Sequence, residues 1–170
     1  MTVEGEAAMD GAVKIVETDL ARAEDQAALL FLMDLYARDP MQGGTPLPND
    51  VMRDLVPALR EHPARFVWLA YRNGAPCGFT ICFLGFSTFN ARPLINIHDI
   101  SVRAELRGAG VGRMLLAAIE SKARALGCCK ITLEVRQDNE VARGLYRKVG
   151  FDRSVVGAAG VALEFWQKKL

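Results

Sequence analysis

Apolar and polar positions along the chain change period several times, and each change marks an element. Val13 to Glu17 reads as a first strand, and Asp19 stands where an N-cap belongs for a helix from about Ala21 to Arg38. Pro40, Gly43, Gly44, Pro46 and Pro48 mark a long loop. A second helix follows over about Asn49 to Glu61, which Pro57 is expected to kink or shorten. Phe66 to Tyr71 and Cys77 to Phe86 flank Asn73-Gly74, a strong hairpin signal, and a turn through Asn90 and Pro93 leads to a strand from Leu94 to Val102. A glycine-rich loop then opens a helix whose core face reads Val111, Leu115, Ala118 and Ile119, closed by Gly127. Ile131, Leu133 and Val135 alternate as a strand, and Asn139 caps a helix running to about Val149. Gly150-Phe151 begins a final strand pair, split by Gly157 and Gly160 and ending Val161 to Gln167. The order β-α-α-β-β-β-α-β-α-β-β predicts an α/β fold, a mixed sheet of about seven strands with helices on both faces. Residues 11–170 read as one domain behind a loose, acidic segment, residues 1–10.

The fourth strand contains an irregularity. Ile95 and Ile97 hold odd positions, whereas Ile100 and Val102 hold even ones. Strand side chains alternate faces, so the apolar set slips by one residue between Ile97 and Ile100. A β-bulge near His98-Asp99 would produce this slip and would leave backbone groups open to a ligand. Plain irregularity is the other reading, since Leu94 already breaks the alternation.

Composition narrows the function classes. Twenty-one Lys and Arg against 20 Asp and Glu give a net charge of +1, which argues against a protein built mainly for nucleic acid or an anionic membrane. The first ten residues lack the basic and apolar regions of a secretory signal, and no apolar run is long enough to span a bilayer. Cys77, Cys82, Cys128 and Cys129 form no C-x-x-C pair, and with only His62 and His98 no metal-ligand spacing arises. Reduced thiols and a cytoplasmic location are the expectation.

The chemistry concentrates in Arg107-Gly108-Ala109-Gly110-Val111-Gly112-Arg113, between a strand and a helix. Glycines let backbone N–H groups approach a ligand closely, and the helix start adds unpaired N–H groups and the positive end of its dipole. Together these make a phosphate cradle, flanked by two arginines. A glycine loop serving geometry alone would not need those arginines. A dinucleotide fingerprint is disfavoured, because Arg113 stands where G-x-G-x-x-G needs its third glycine, and the G-x-x-x-x-G-K-[ST] loop is absent.

The run Ile97-His98-Asp99-Ile100-Ser101-Val102, followed by Arg107-Gly108-Ala109-Gly110-Val111-Gly112, resembles the acetyl-CoA motif of the GNAT N-acetyltransferase superfamily, Arg/Gln-x-x-Gly-x-Gly/Ala after the fourth strand. Asp138-Asn139-Glu140-Val141-Ala142, Leu145-Tyr146 and Gly150-Phe151 resemble its Asn-x-x-Ala…Tyr…Gly-Phe signature. The stretch from Cys77 through Phe86-Ser87-Thr88-Phe89 looks most like the diamine and thialysine acetyltransferase branch. The resemblance implies the GNAT acyl-CoA N-acyltransferase fold, with a bulged fourth strand that splays from the fifth. It also implies acetyl-CoA as cosubstrate, a small-molecule primary amine as acceptor, no metal, and a homodimer.

The resemblance also implies roles. Arg107, Gly108, Ala109, Gly110, Val111, Gly112 and Arg113 would hold the pyrophosphate, and the backbone of Ile100 and Val102 the pantetheine arm. Asn139 would cap its helix and contact pantetheine or the sheet. Tyr146 would be the general acid that protonates the leaving thiolate; its alternative is an aromatic anchor for the last helix. His98 stands where the diamine branch usually has glutamate, and is a candidate general base with Asp99 beside it. Equally, it is a histidine satisfied by strand and core hydrogen bonds. Asp34 and Asp39 could receive a cationic substrate or simply be solvated, and Phe86 and Phe89 could wall the acceptor pocket or join the core. A non-catalytic acyl-CoA-binding or sensing module on the same fold is the alternative function.

Overall fold

A computed structural model describes residues 11–153, 155–156 and 161–162. The expected loose start, the glycines Gly157 and Gly160, and residues 163–167 of the expected last strand lie outside the described residues. The chain forms two compact units that divide after Glu134.

In the first unit five strands lie across one sheet in chain order: β1 (Val13–Thr18), β2 (Arg65–Arg72), β3 (Ala75–Ser87), β4 (Arg92–Val102) and β5 (Ile131–Leu133). The first four are antiparallel neighbours, and β5 runs parallel to β4. The β2–β3 hairpin turns at Asn73 (φ 51°) and Gly74 (φ 77°), the left-handed pair whose twist matches that of the strands it joins. The sheet therefore holds five described strands where about seven were expected. The missing two, β6 (Val155–Val156) and β7 (Val161–Ala162), belong to the second unit and pair antiparallel with each other.

Three helices belong to the first unit, α1 (Ala23–Ala37), α2 (Asn49–Glu61) and α3 (Val111–Ala125). α2 keeps the bounds expected of it, so Pro57 does not shorten it. Proline there forfeits one backbone hydrogen bond, and burial of Val56 and Leu59 offsets that loss. α1 starts later than expected, and Asp19 is not its N-cap: the Asp19 carboxylate accepts the Ala21 N–H at 2.9 Å, short of Arg22, the extended residue that caps the helix beginning at Ala23. A buried carboxylate, Asp25, ties α1 to the sheet by accepting the hydroxyls of Thr18 (β1) and Tyr71 (β2), each at 2.9 Å. Burial, then this bond, push the Tyr71 hydroxyl up to about 12.

The strand alternation sorts the helices onto opposite faces. Val67, Leu69, Phe79 and Ile81 share one face and form the core with Leu29 and Leu32 of α1 and Val56 and Leu59 of α2. Gly78 faces the other way. A Cβ there would touch Val111 and Leu115 of α3 at ordinary contact distances, 3.4 and 3.5 Å, but would press on the Ser101 carbonyl of β4 at 3.0 Å, so it is the neighbouring strand that favours glycine. The buried stripe of α3 is Val111, Leu115, Leu116, Ile119 and Ala123; Ala118, expected in it, is only half-buried. α3 ends in a Schellman motif: Gly127 has φ 67°, and the Gly127 and Cys128 amides bond the Arg124 and Ala123 carbonyls.

In the second unit, α4 (Glu140–Lys148) is capped as expected, the Asn139 side chain accepting the Ala142 N–H at 3.1 Å. Val135, expected in the strand before it, lies beyond β5, which ends at Leu133.

Candidate active site

The pairing of β3 with β4 contains the bulge. Ile81 faces Asp99 and the next residue, Cys82, faces Ile97, so His98 is the extra residue. Ile95, Ile97, Ile100 and Val102 thus face Leu84, Cys82, Thr80 and Gly78. All four lie on the sheet face that α3 covers, and the slipped alternation is explained. Thr80 helps hold the bulge by donating its hydroxyl to the Asp99 carbonyl at 2.9 Å.

β5 pairs only with Ile95, Asn96 and Ile97 of β4. Beyond them β4 continues to Val102 with no strand on its β5 side among the described residues. Its backbone N–H and C=O groups there form an open edge, a place for an extended ligand with amide groups of its own.

The cradle begins where that edge ends. A 3-10 turn, Ala104–Leu106, leads into Arg107. Gly108 (φ 82°) and Gly110 (φ 86°) are both left-handed, and Gly110 is the N-cap of α3. A Cβ at either would meet nothing within 4 Å, so backbone conformation rather than space demands glycine. The first α3 bond runs from the Met114 N–H to the Gly110 carbonyl, so the amides of Val111, Gly112 and Arg113 have no partner within the helix. Ala109 is different: its N–H bonds the Leu106 carbonyl at 3.3 Å. Val111 turns its side chain into the core while Arg113 is exposed. The Arg107 guanidinium spans two partners, donating from Nε to the Val102 carbonyl at 3.2 Å and from its terminal nitrogen to Asp39 at 2.5 Å.

His98 is exposed and sets its ring edge-on to Phe83 of β3, with centroids 5.7 Å apart. Phe83 in turn meets His62 at 4.8 Å. Burial holds the Asp99 carboxyl above the usual carboxylate range, with neighbouring His98 opposing the shift. The acidic candidates have internal partners. Asp34 pairs with Arg38 at 2.7 Å and accepts the Leu47 N–H, while Asp39 accepts the Met41 N–H at 2.8 Å and pairs with Arg107. Phe86 and Phe89 do not join the core: Phe86 is 63% exposed and Phe89 fully so.

In the second unit the Tyr146 side chain is buried, its ring 5.7 Å from that of Phe151. Burial raises its hydroxyl above the ordinary phenol value, which keeps the proton on. Phe83 and the Asp39–Arg107 pair were not anticipated. Only the bulged β3–β4 register and a contact spanning 68 residues of sequence make them neighbours of the site.

Among the described residues no group of three or more His, Cys, Asp or Glu side chains could hold a metal ion, and no helix is long and apolar enough to cross a membrane. The four cysteines are free.

Known proteins are similar to this chain in sequence or fold. An uncharacterized N-acetyltransferase, YycN, of Bacillus subtilis (strain 168) is 29% identical over 154 residues, covering 84% of this chain and 95% of that protein. The solved aminoglycoside N-acetyltransferase AAC(6')-Iy in complex with CoA superposes with a TM-score of 0.73 at 16% identity, covering 97% of this chain and 100% of that one. A ribosomal-protein-alanine N-acetyltransferase from Brucella melitensis biovar Abortus 2308 superposes with a TM-score of 0.64 at 19% identity, over 94% of this chain and 98% of that one. At such identities the two structures share the fold alone. The family model described as "Acetyltransferase (GNAT) family" matches residues 29–151, and the chain belongs to that family.

Proposed function

We propose that this chain transfers the acetyl group of acetyl-CoA to a primary amine of a small molecule, residues 11–170 acting as one domain. The observation that carries the reading is the open edge of β4. Its pairing with β5 stops at Ile97, next to the bulge at His98, and Arg107 bonds the Val102 carbonyl, so the edge runs directly into the glycine cradle. An anion at the cradle would accept the α3 first-turn amides, with Arg107 and Arg113 beside it. A pantetheine arm would continue along Ile100 and Val102 by backbone hydrogen bonds, with Asn139 contributing from α4.

The reaction is a direct displacement. His98, alone or through a water, takes a proton from the acceptor ammonium, and the amine attacks the thioester carbon. An N–H of β4 stabilises the oxyanion. As the tetrahedral intermediate collapses, the C–S bond breaks, Tyr146 protonates the departing thiolate, and the extra proton on the attacking nitrogen passes to solvent, from which Tyr146 is reprotonated. The raised hydroxyl of Tyr146 supports that role, because an acid must hold its proton at working pH. The raised Asp99 carboxyl lies beside the base and would orient it or meet the ammonium. Exposed Phe86 and Phe89, in the stretch that resembles the diamine branch, favour a small acceptor packed against aromatic rings.

Free thiol released from acetyl-CoA, followed across diamines, polyamines, aminoglycosides, amino acids and N-terminal peptides, tests the reading and identifies the acceptor. Binding of acetyl-CoA without thiol release by any amine would leave the sensing module in its place.

A further inference from the structure

Arg107 is the one cradle residue whose charged group already has an anionic partner in the described structure. Its terminal nitrogen lies 2.5 Å from Oδ2 of Asp39, and its Nε occupies the Val102 carbonyl. The Asp39 side chain is 15% exposed and the Arg107 side chain 47% exposed, so the carboxylate is the more fixed of the two. Asp39 is set from within its own loop: Oδ1 accepts the Met41 N–H at 2.8 Å, and its carbonyl accepts the Gln42 and Gly44 amides. Arg107 holds the Asp39 carboxyl below the usual range, and the Met41 bond adds to this, so it is charged at neutral pH.

We propose that Asp39 acts as an internal competitor of the cosubstrate, occupying Arg107 and thereby setting the affinity of the cradle for the pyrophosphate. The proposal rests on the acetyl-CoA reading above. A diphosphate arriving at the head of α3 must draw Arg107 away from Asp39, or else bind beside an intact ion pair whose carboxylate repels it. The same guanidinium must leave the Val102 carbonyl before a pantetheine amide can use it. Asp39 thus opposes binding of the diphosphate, and its loss of charge should strengthen binding even though no contact to the ligand is added. It is a positioning residue, acting through Arg107.

The experiment is calorimetric titration of CoA into the whole chain as wild type, Asp39→Asn and Asp39→Ala. Asparagine keeps an oxygen for the Met41 N–H, whereas alanine removes cap and charge together. An exposed ion pair of this kind corresponds to about a fivefold change in Kd. Both variants should bind CoA more tightly than wild type by roughly that factor, and the gain should shrink at high salt, where the pair is screened. An unchanged or weaker Kd in Asp39→Asn overturns the proposal. So does tighter binding by Asp39→Ala alone, which would assign the effect to the loop rather than the charge. Absence of CoA binding by the wild type would instead overturn the acetyl-CoA reading itself.

Discussion

Deleting His98 separates the bulge from the side chain it carries. In the structure Asp99 already faces Ile81 and Ile97 already faces Cys82, adjacent residues of β3. Removal of His98 therefore leaves every other β3–β4 pair in place, and Ile95, Ile97, Ile100 and Val102 stay on the α3 face. The packing lost is the edge-on ring contact with Phe83, worth about 1 kcal/mol, and the midpoint of thermal unfolding should fall by only roughly 2–4 °C. The cosubstrate should suffer more. Without the extra residue β4 loses the local bend and added twist of a bulge, which should re-aim the free backbone groups of Ile100 and Val102 away from the ligand. Two backbone hydrogen bonds of about 1 kcal/mol each would go, roughly a thirtyfold rise in the Kd for CoA. His98→Ala is the companion, since it keeps the extra residue and so the bulge. It should bind CoA within about twofold of wild type and lose at least about tenfold in rate together with the acidic limb of its pH–rate profile. Calorimetry, melting curves and thiol release measure all of these. A deletion variant that folds and binds CoA as well as wild type would refute the claim that the bulge makes the site, and an unaltered acidic limb in His98→Ala would remove His98 as the base.

Tyr146→Phe should lower kcat well over tenfold (about an order of magnitude at least) with the Kd for CoA unchanged; an unaltered kcat takes Tyr146 out of the mechanism. The acid must be protonated, and burial raises its hydroxyl, so kcat of the wild type should show no basic limb from Tyr146 below the ordinary phenol value, about pH 10; a limb well below that contradicts the assignment. Gly110→Ala forces a Cβ into φ 86° with no contact to relieve or worsen it, which should cost about 1–2 kcal/mol in melting experiments and weaken CoA binding as well. Asn139→Ala removes the α4 cap and should cost about 1 kcal/mol of stability, whereas Asn139→Asp, which keeps an acceptor oxygen, should cost much less.

Elements whose signals are local were legible along the chain. Asn73-Gly74 turns where both residues must be left-handed, Gly127 stops α3, Asn139 caps α4, and α2 runs from Asn49 to Glu61. Each depends on chemistry within a few residues, which the order of residues already contains. The bulge was legible too, as a parity slip, because a buried face imposes a period of two on whatever strand covers it. What needed the tertiary structure was every feature made by distant partners. Asp19 looked like a helix cap but bonds Ala21 short of the helix. Ala118 yields its place in the core to Leu116 and Ala123, because the sheet beneath decides which side of α3 is covered. The sheet has five strands in the first unit, since β6 and β7 find each other instead. Phe83 meets His98 only through the bulged register, and Asp39 reaches Arg107 only because the chain folds a distant loop onto the cradle. Periodicity and caps report which residues want burial or a hydrogen bond, whereas the three-dimensional packing decides which partner each one gets.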